Sequence, residues 1–182
     1  MSLQALTGKQ VLSIDASHSS VEFSVRHLMI STVRGRFGAV EGTVTRGEAG
    51  WSAEASIDAT SIDTRNEMRD EHLRNSDFFE VEKHPKILFR STTAGEFSAP
   101  GDSFRVTGDL TILGTTRPVV LDAVYNGAGK DPWGGERLSF SATTKIDRRD
   151  FGLTYNQALE AGGVALSHEI SIQIEVELVK QA

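Results

Sequence analysis

Between Ser61 and Pro85 the chain reads SIDTRNEMRDEHLRNSDFFEVEKHP, its most charged stretch, with Asp63, Glu67, Asp70, Glu71, His72, Asp77 and His84 close together. Carboxylates and imidazoles at this density could make a divalent-metal site or a general acid–base pair. The spacing speaks against a metal. HExxH is absent, and none of the five histidines (His18, His27, His72, His84 and His168) stands at i,i+4 from another. Glu67 and Glu71 share one helical edge, but Arg65, Arg69 and Arg74 are near enough in sequence to neutralise them. A charge run of this kind reads as the solvated face of a helix, and no metal site is expected in it.

Nucleophilic chemistry has no better support. The chain has no cysteine and no G-x-S-x-G elbow, and a Ser-His-Asp triad is not readable from residues that are merely present. Paired carboxylates for glycoside cleavage stay open, because any acidic barrel offers candidates. Gly35-Arg36-Phe37-Gly38 and Gly127-Ala128-Gly129-Lys130 read as turns rather than phosphate loops: the first lacks G-x-G-x-x-G, and Lys130 is followed by Asp131. Net charge is −6, and Arg34 with Arg36 is too little for a face of interleaved aromatic and basic residues, which argues against nucleic acid as partner. No catalytic residue is assigned. One histidine stands apart: His27 follows Val21, Phe23 and Val25 at period two, so parity places it at the end of an apolar strand face. Such a group is either a core-edge imidazole bonded to a carbonyl or a polar contact for a ligand's head. Arg149 and Asp150 read as a structural ion pair beside Phe151-Gly152.

What would position such groups is a set of strands. Period-two alternation recurs at Val21–Val25, Trp51–Ala59, Phe104–Ile112, Val119–Tyr125, Leu138–Ala142 and Ile170–Leu178, and the segments around Phe37–Arg46 and Lys86–Ser91 bring the total to about eight. Turn signals fall at Gly47–Gly50, Ala99–Asp102, Gly114–Thr116 and Asn126-Gly127 through Asp131–Gly135. Short links favour antiparallel neighbours. Long one-sidedly apolar strands joined as hairpins predict closure into an extended, lipocalin-like antiparallel barrel able to hold one small ligand.

The opening stretch is the one predicted helix, running to about Asn75. Thr64-Arg65-Asn66-Glu67 fits a capping box, Asp70 and Arg74 form an i,i+4 pair, and Met68, His72 and Leu73 share a face. With Phe78-Phe79 following, the expectation is a short amphipathic insertion covering a barrel mouth. Met68, Leu73, Phe78 and His72 would face inward.

At 182 residues, 38% apolar and 24% charged, the chain reads as a single soluble domain, with residues 1–12 as a loosely attached leading segment. MSLQALTGKQVL carries no run of seven apolar residues, and no stretch approaches the roughly 20 apolar residues of a spanning helix, so a cytoplasmic protein is expected.

His18-Ser19 with VEFSVRHL, then VRGRFG, ASIDATSIDTRNEMRDEHLRNSDFFEVEKHPKILFRST, VTGDLTILGTTRPVVL and KIDRRDFG together resemble the YceI-like family, over about Asp15 to Leu178. His84 stands where members often carry Tyr. The resemblance implies a lipocalin-like barrel holding a polyisoprenoid or similar amphiphile, with no established enzymatic activity and with some members exported. Combined with the alternation, it gives an expected lining of Phe23, Val25, His27, Phe37, Ile57, Met68, His72, Leu73, Phe78, Phe89, Phe104, Leu110, Ile112, Phe140 and Ile172. Burial of a chain there yields about 0.8 kcal/mol per CH₂, so tight binding requires no chemistry. The expected partner is a hydrophobic small molecule (isoprenoid, isoprenoid quinone or precursor, or fatty-acid-like lipid), with no cofactor required, no nucleic acid, and a homodimer as one possible assembly. Two further readings differ in class. One is an enzyme acting on a bound lipid, quinone or isoprenoid head with His27 and an acid from the inserted helical stretch as proton shuttles; the other is a small structural or stress-response module with a filled core and no ligand.

Overall fold

The computed structural model describes residues 10–158 and 164–180. In chain order its elements are β1 (Gln10–Ile14), β2 (Ser20–His27), β3 (Ser31–Phe37), β4 (Val40–Gly47), β5 (Gly50–Asp58), β6 (Ile62–Asp63), α1 (Glu67–Arg74), β7 (Lys86–Ala94), β8 (Ser103–Ile112), β9 (Thr115–Lys130), β10 (Glu136–Asp147) and β11 (Leu166–Lys180). Eight of the strands form a closed antiparallel barrel in the order β1-β4-β5-β7-β8-β9-β10-β11, with β1 pairing back onto β11. The predicted fold class and strand number hold.

Two of the barrel's staves are broken. β1 and β2 lie end to end on β11, the first through Ile14↔Leu178 and the second through Val25↔Ile170. Their partners β4 and β3 are broken likewise at Gly38-Ala39. At that end β3 has left the ring, and its outer edge meets β6 through Arg36↔Asp63 and Phe37↔Ile62. The segment between β5 and β7, helix included, therefore packs where the wall parts. An exposed strand edge invites pairing with another chain, and covering it with local structure removes that hazard.

Two expectations need correction. Residues 10–12 are not part of a loose leader: they open β1, pair with β4 and β11, and bury Leu12 completely. Residues 1–9 lie outside the described residues. The Asn126-Gly127 signal is not a turn. β9 runs through it as a bulge, with Ser139↔Gly127 followed by Phe140↔Tyr125, and Gly127 takes the positive φ of 132° that leaves Asn126 as the extra residue. The hairpin reverses later, where Asp131 Oδ1 accepts from the amides of Trp133 and Gly135.

The predicted dry faces point inward. Val21, Phe37, Val40, Ile62, Phe78, Ile87, Leu110, Ile112, Phe151 and Leu153 pack toward the α1 end, and Leu12, Tyr125, Leu138 and Leu178 toward the opposite end. Gly35 is required by this packing: a Cβ there would lie 2.4 Å from Cζ of Phe23, whose ring occupies the space across the strand pair. Among the described residues no helix is long and apolar enough to cross a membrane.

Candidate ligand cavity

The barrel is not filled by its own side chains. It encloses a cavity of about 320 Å³, inside the roughly 300–1,000 Å³ range of small-molecule sites. Of the expected lining, Phe23, Val25, Phe37, Ile57, Leu73 and Phe78 are in its wall, as are Phe89, Phe104, Leu110, Ile112, Phe140 and Ile172. Strand parity explains the agreement for the strand residues, since alternate residues of one strand must share a face, whereas Leu73 and Phe78 come from α1 and the segment after it.

Three expected residues are absent from the wall. Met68 is 80% exposed, so its side chain points to water although Leu73, expected on the same face, lines the wall. His72 donates or accepts through Nε2 at 2.9 Å from Asp77 Oδ2, and its ring lies edge-on to Phe78 and Tyr155, each 5.1 Å away. It seals a seam above the cavity rather than lining it. His27 keeps its parity, because β2 pairs with β3 without interruption from Val21↔Phe37 to His27↔Ser31. The wall nevertheless stops at Val25 on this strand, and His27 is a half-buried residue past its end.

The helix is seated by polar bonds. Its cap is Asn66, whose Oδ1 accepts from the Arg69 amide, and not Thr64. Thr64 instead donates its amide and hydroxyl to Oδ1 of Asp70, at 2.9 and 2.5 Å, with both residues buried. Arg69 donates to Thr64 Oγ1 and to its carbonyl. Arg74 donates to the carbonyls of Thr60 and Ile62, so the expected Asp70–Arg74 pair does not form. Asp63 takes Arg36 at 3.2 Å and the Arg65 amide, while the His84 ring packs at 3.4 Å from where a Cβ of Gly114 would be. Asp63, Asp70 and Asp77 of the opening stretch thus take separate bonds, while Glu67 and Glu71 are exposed.

Among the described residues, one trio brings a potential ligand atom each within 4.8 Å of one another: Asp15, His18 and Glu177. It already contains a cation. Arg137 Nη1 lies 2.6 Å from Asp15 and 2.5 Å from Glu177, with Nε on Asp131. The Ser17 hydroxyl, Arg137 and His18 hold the Asp15 carboxyl well below the usual carboxylate range, and its carboxylate partners raise Arg137. This is a clasp on the outer wall.

Sequence reading missed several lining residues. Phe97, in the loop after β7, turns back into the barrel and stacks on Phe104 at 4.8 Å, with Tyr125, Phe140 and Trp51 within 5.3 Å. No periodicity marks a loop residue. Arg148 has a periodic signal, but it lies one residue beyond the alternating run of β10. Leu138, Phe140, Ala142, Thr144 and Ile146 alternate inward on β10, and the next even position is Arg148, which is 4% exposed and in the cavity wall. The expected Arg149–Asp150 pair is replaced by Arg149–Asp147, at 2.5 Å.

A family model described as the YceI-like domain matches residues 12–178. A UPF0312 protein of Pseudomonas aeruginosa is 36% identical over 181 residues, covering 98% of this chain and 90% of that protein. Among solved structures, a Campylobacter jejuni YCEI protein is 31% identical with a TM-score of 0.72, covering 86% of this chain and 90% of that one. A polyisoprenoid-binding domain from Saccharophagus degradans shares the fold at 17% identity, with a TM-score of 0.73 over 94% of this chain and 99% of that one.

Proposed function

The chain belongs to the YceI-like family, and from that premise we propose that it binds and carries a long-chain amphiphile in the barrel without transforming it. The observation that carries the reading is the cavity of about 320 Å³ with its walls of alternating apolar side chains. A structural module with a filled core would have no need of that space. The ligand class, an isoprenoid, isoprenoid quinone or precursor, or fatty-acid-like lipid, follows from an apolar interior that stretches along the strands. Phe140 to Ile146 alone is six residue steps, about 20 Å of strand. The Saccharophagus domain, described as polyisoprenoid-binding, is consistent with the same class. Non-catalytic retention fits a wall that offers few polar groups, Ser52, Glu54, Thr144 and Arg148 among them, with Thr144 already bonded to the Val120 carbonyl. Storage or transport in the cytoplasm, by a monomer or a homodimer, completes the proposal.

Mass spectrometry of an organic extract of the purified chain tests it. One long-chain apolar compound, near one per chain, is expected. An extract at buffer background, from protein that also fails to take up such compounds on incubation, would remove the carrier reading.

A further inference from the structure

Three buried polar side-chain atoms find no hydrogen-bond partner among the described residues: Gln10 Oε1, His168 Nδ1 and Arg148 Nη2. Of the three residues only Arg148 is in the cavity wall. Its guanidinium is fixed on the other sides. Nε donates to the Ser167 carbonyl at 3.0 Å, and Nη1 donates to the carbonyls of Leu153 and Tyr155 at 2.5 and 2.8 Å. Of five N–H donors, the two on Nη2 are left over.

The charge is buried together with these donors, at the edge of an otherwise apolar interior. No carboxylate among the described residues forms an ion pair with Arg148, and the nearest in sequence, Asp147, is gripped by Arg149 through both oxygens. Burial pulls the Arg148 guanidinium below its ordinary value, yet an arginine stays protonated in proteins. A buried cation with unmet donors is costly unless something supplies both charge and acceptor. The three carbonyls hold the side chain rigidly, so it is preorganised rather than collapsed onto the wall.

We propose that Arg148 is the head-group site of the cavity, and that its occupant is an amphiphile ending in an oxyanion, a carboxylate or a phosphate, seated against Nη2. The proposal rests on the carrier reading and deepens it. The anionic head lies at the α1 end, where Leu153 and Phe78 share the wall with Arg148 and the Tyr155 ring meets Phe78 and His72, while the apolar tail runs toward Phe97, Phe104 and Phe140.

The test compares a fluorescent polyene fatty acid, cis-parinaric acid, with its methyl ester on the delipidated full chain. The acid should bind about tenfold or more tightly than the ester, the size expected of a charge-assisted hydrogen bond. Arg148→Met should bind acid and ester alike, and Arg148→Lys should retain part of the preference. Displacement of bound cis-parinaric acid by hexadecyl phosphate better than by hexadecanol extends the site to phosphate heads; displacement only by hexadecanoic acid restricts it to carboxylates. Equal binding of acid and ester by the unmodified chain overturns the head-group site and leaves the carrier reading intact, and this comparison stands even if Arg148→Met does not fold. An acid preference that survives in folded Arg148→Met also overturns it. Failure of both probes to bind removes both readings.

Discussion

At the scale of single residues, the buried and half-buried charges among the described residues divide into those paired with an opposite charge and those, Arg148 among them, held only by neutral groups. Arg137 is the partnered extreme: Asp15, Glu177 and Asp131 surround it, and each is within 3.1 Å. Hydrogen bonds from Ser17 and Arg137 depress Asp15, backbone and Arg137 bonds depress Asp131, and Arg149 brings Asp147 down to about 2. A carboxyl whose folded value lies below its unfolded one stabilises the fold fully above the unfolded value near 3.8. That stabilisation is lost as pH falls through the lower folded value. The native chain should therefore keep its stability down to about pH 4 and lose it progressively from there toward pH 2. Arg137→Met leaves three carboxylates facing one another, so its deficit relative to the native chain should be largest at pH 7 and shrink toward pH 3, as protonation relieves the repulsion. Urea unfolding at the two pH values measures this; an equal deficit at both would mean that the clasp acts by packing alone.

At the scale of elements, α1 shows where reading by periodicity stops working. An eight-residue helix is marginal by itself and needs tertiary contacts. Here those contacts are polar: Asp70 to Thr64, Arg69 back to Thr64, and Arg74 to two carbonyls of the preceding turn. The side facing the barrel is thus partly charged, and Met68, placed inward by helical spacing, is turned to water. The barrel strands were legible because alternation is local and one slip reverses a whole face; the helix was not, because its orientation is set by bonds to β6 that no spacing announces. The same contrast separates Val25, found by parity, from Phe97, found only by its fold. A direct consequence is an order of costs. Asn66→Ala removes the cap and should cost about 1 kcal/mol. Thr64→Ala leaves the buried Asp70 carboxylate without a hydroxyl donor and should cost more, about 1–3 kcal/mol. Both should hasten release of a bound fluorescent lipid, since the helix lies over the parted wall. Denaturant titration decides the order, and a larger loss from Asn66→Ala would mean that the Thr64–Asp70 bond contributes little.

At the scale of the whole molecule, the fold separates the tasks of closure and capacity. Closure comes from long backbone ladders, with β1 joining β11 to complete the ring. Capacity comes from small residues held at inward positions: Ala123 and Ala142 face each other across β9 and β10 in the middle of the cavity wall. Larger apolar residues there would fill the space and improve the core, so their smallness works against stability and toward binding. Ala142→Phe puts a ring into that space between Phe140 and Ile146 on the same face. The delipidated variant should be about 0.5–2 kcal/mol more stable than the delipidated native chain, as cavity-filling substitutions commonly are. Its organic extract should have lost most of the bound lipid. The native chain, in turn, should gain stability on reloading, because a ligand that binds only the folded state stabilises it by mass action; the variant should gain little. Thermal unfolding with and without added lipid, beside mass spectrometry of the extracts, measures both halves. A variant that folds, keeps its lipid content and still responds to reloading would place the ligand somewhere other than the barrel interior, and the carrier reading would then lose the observation that supports it.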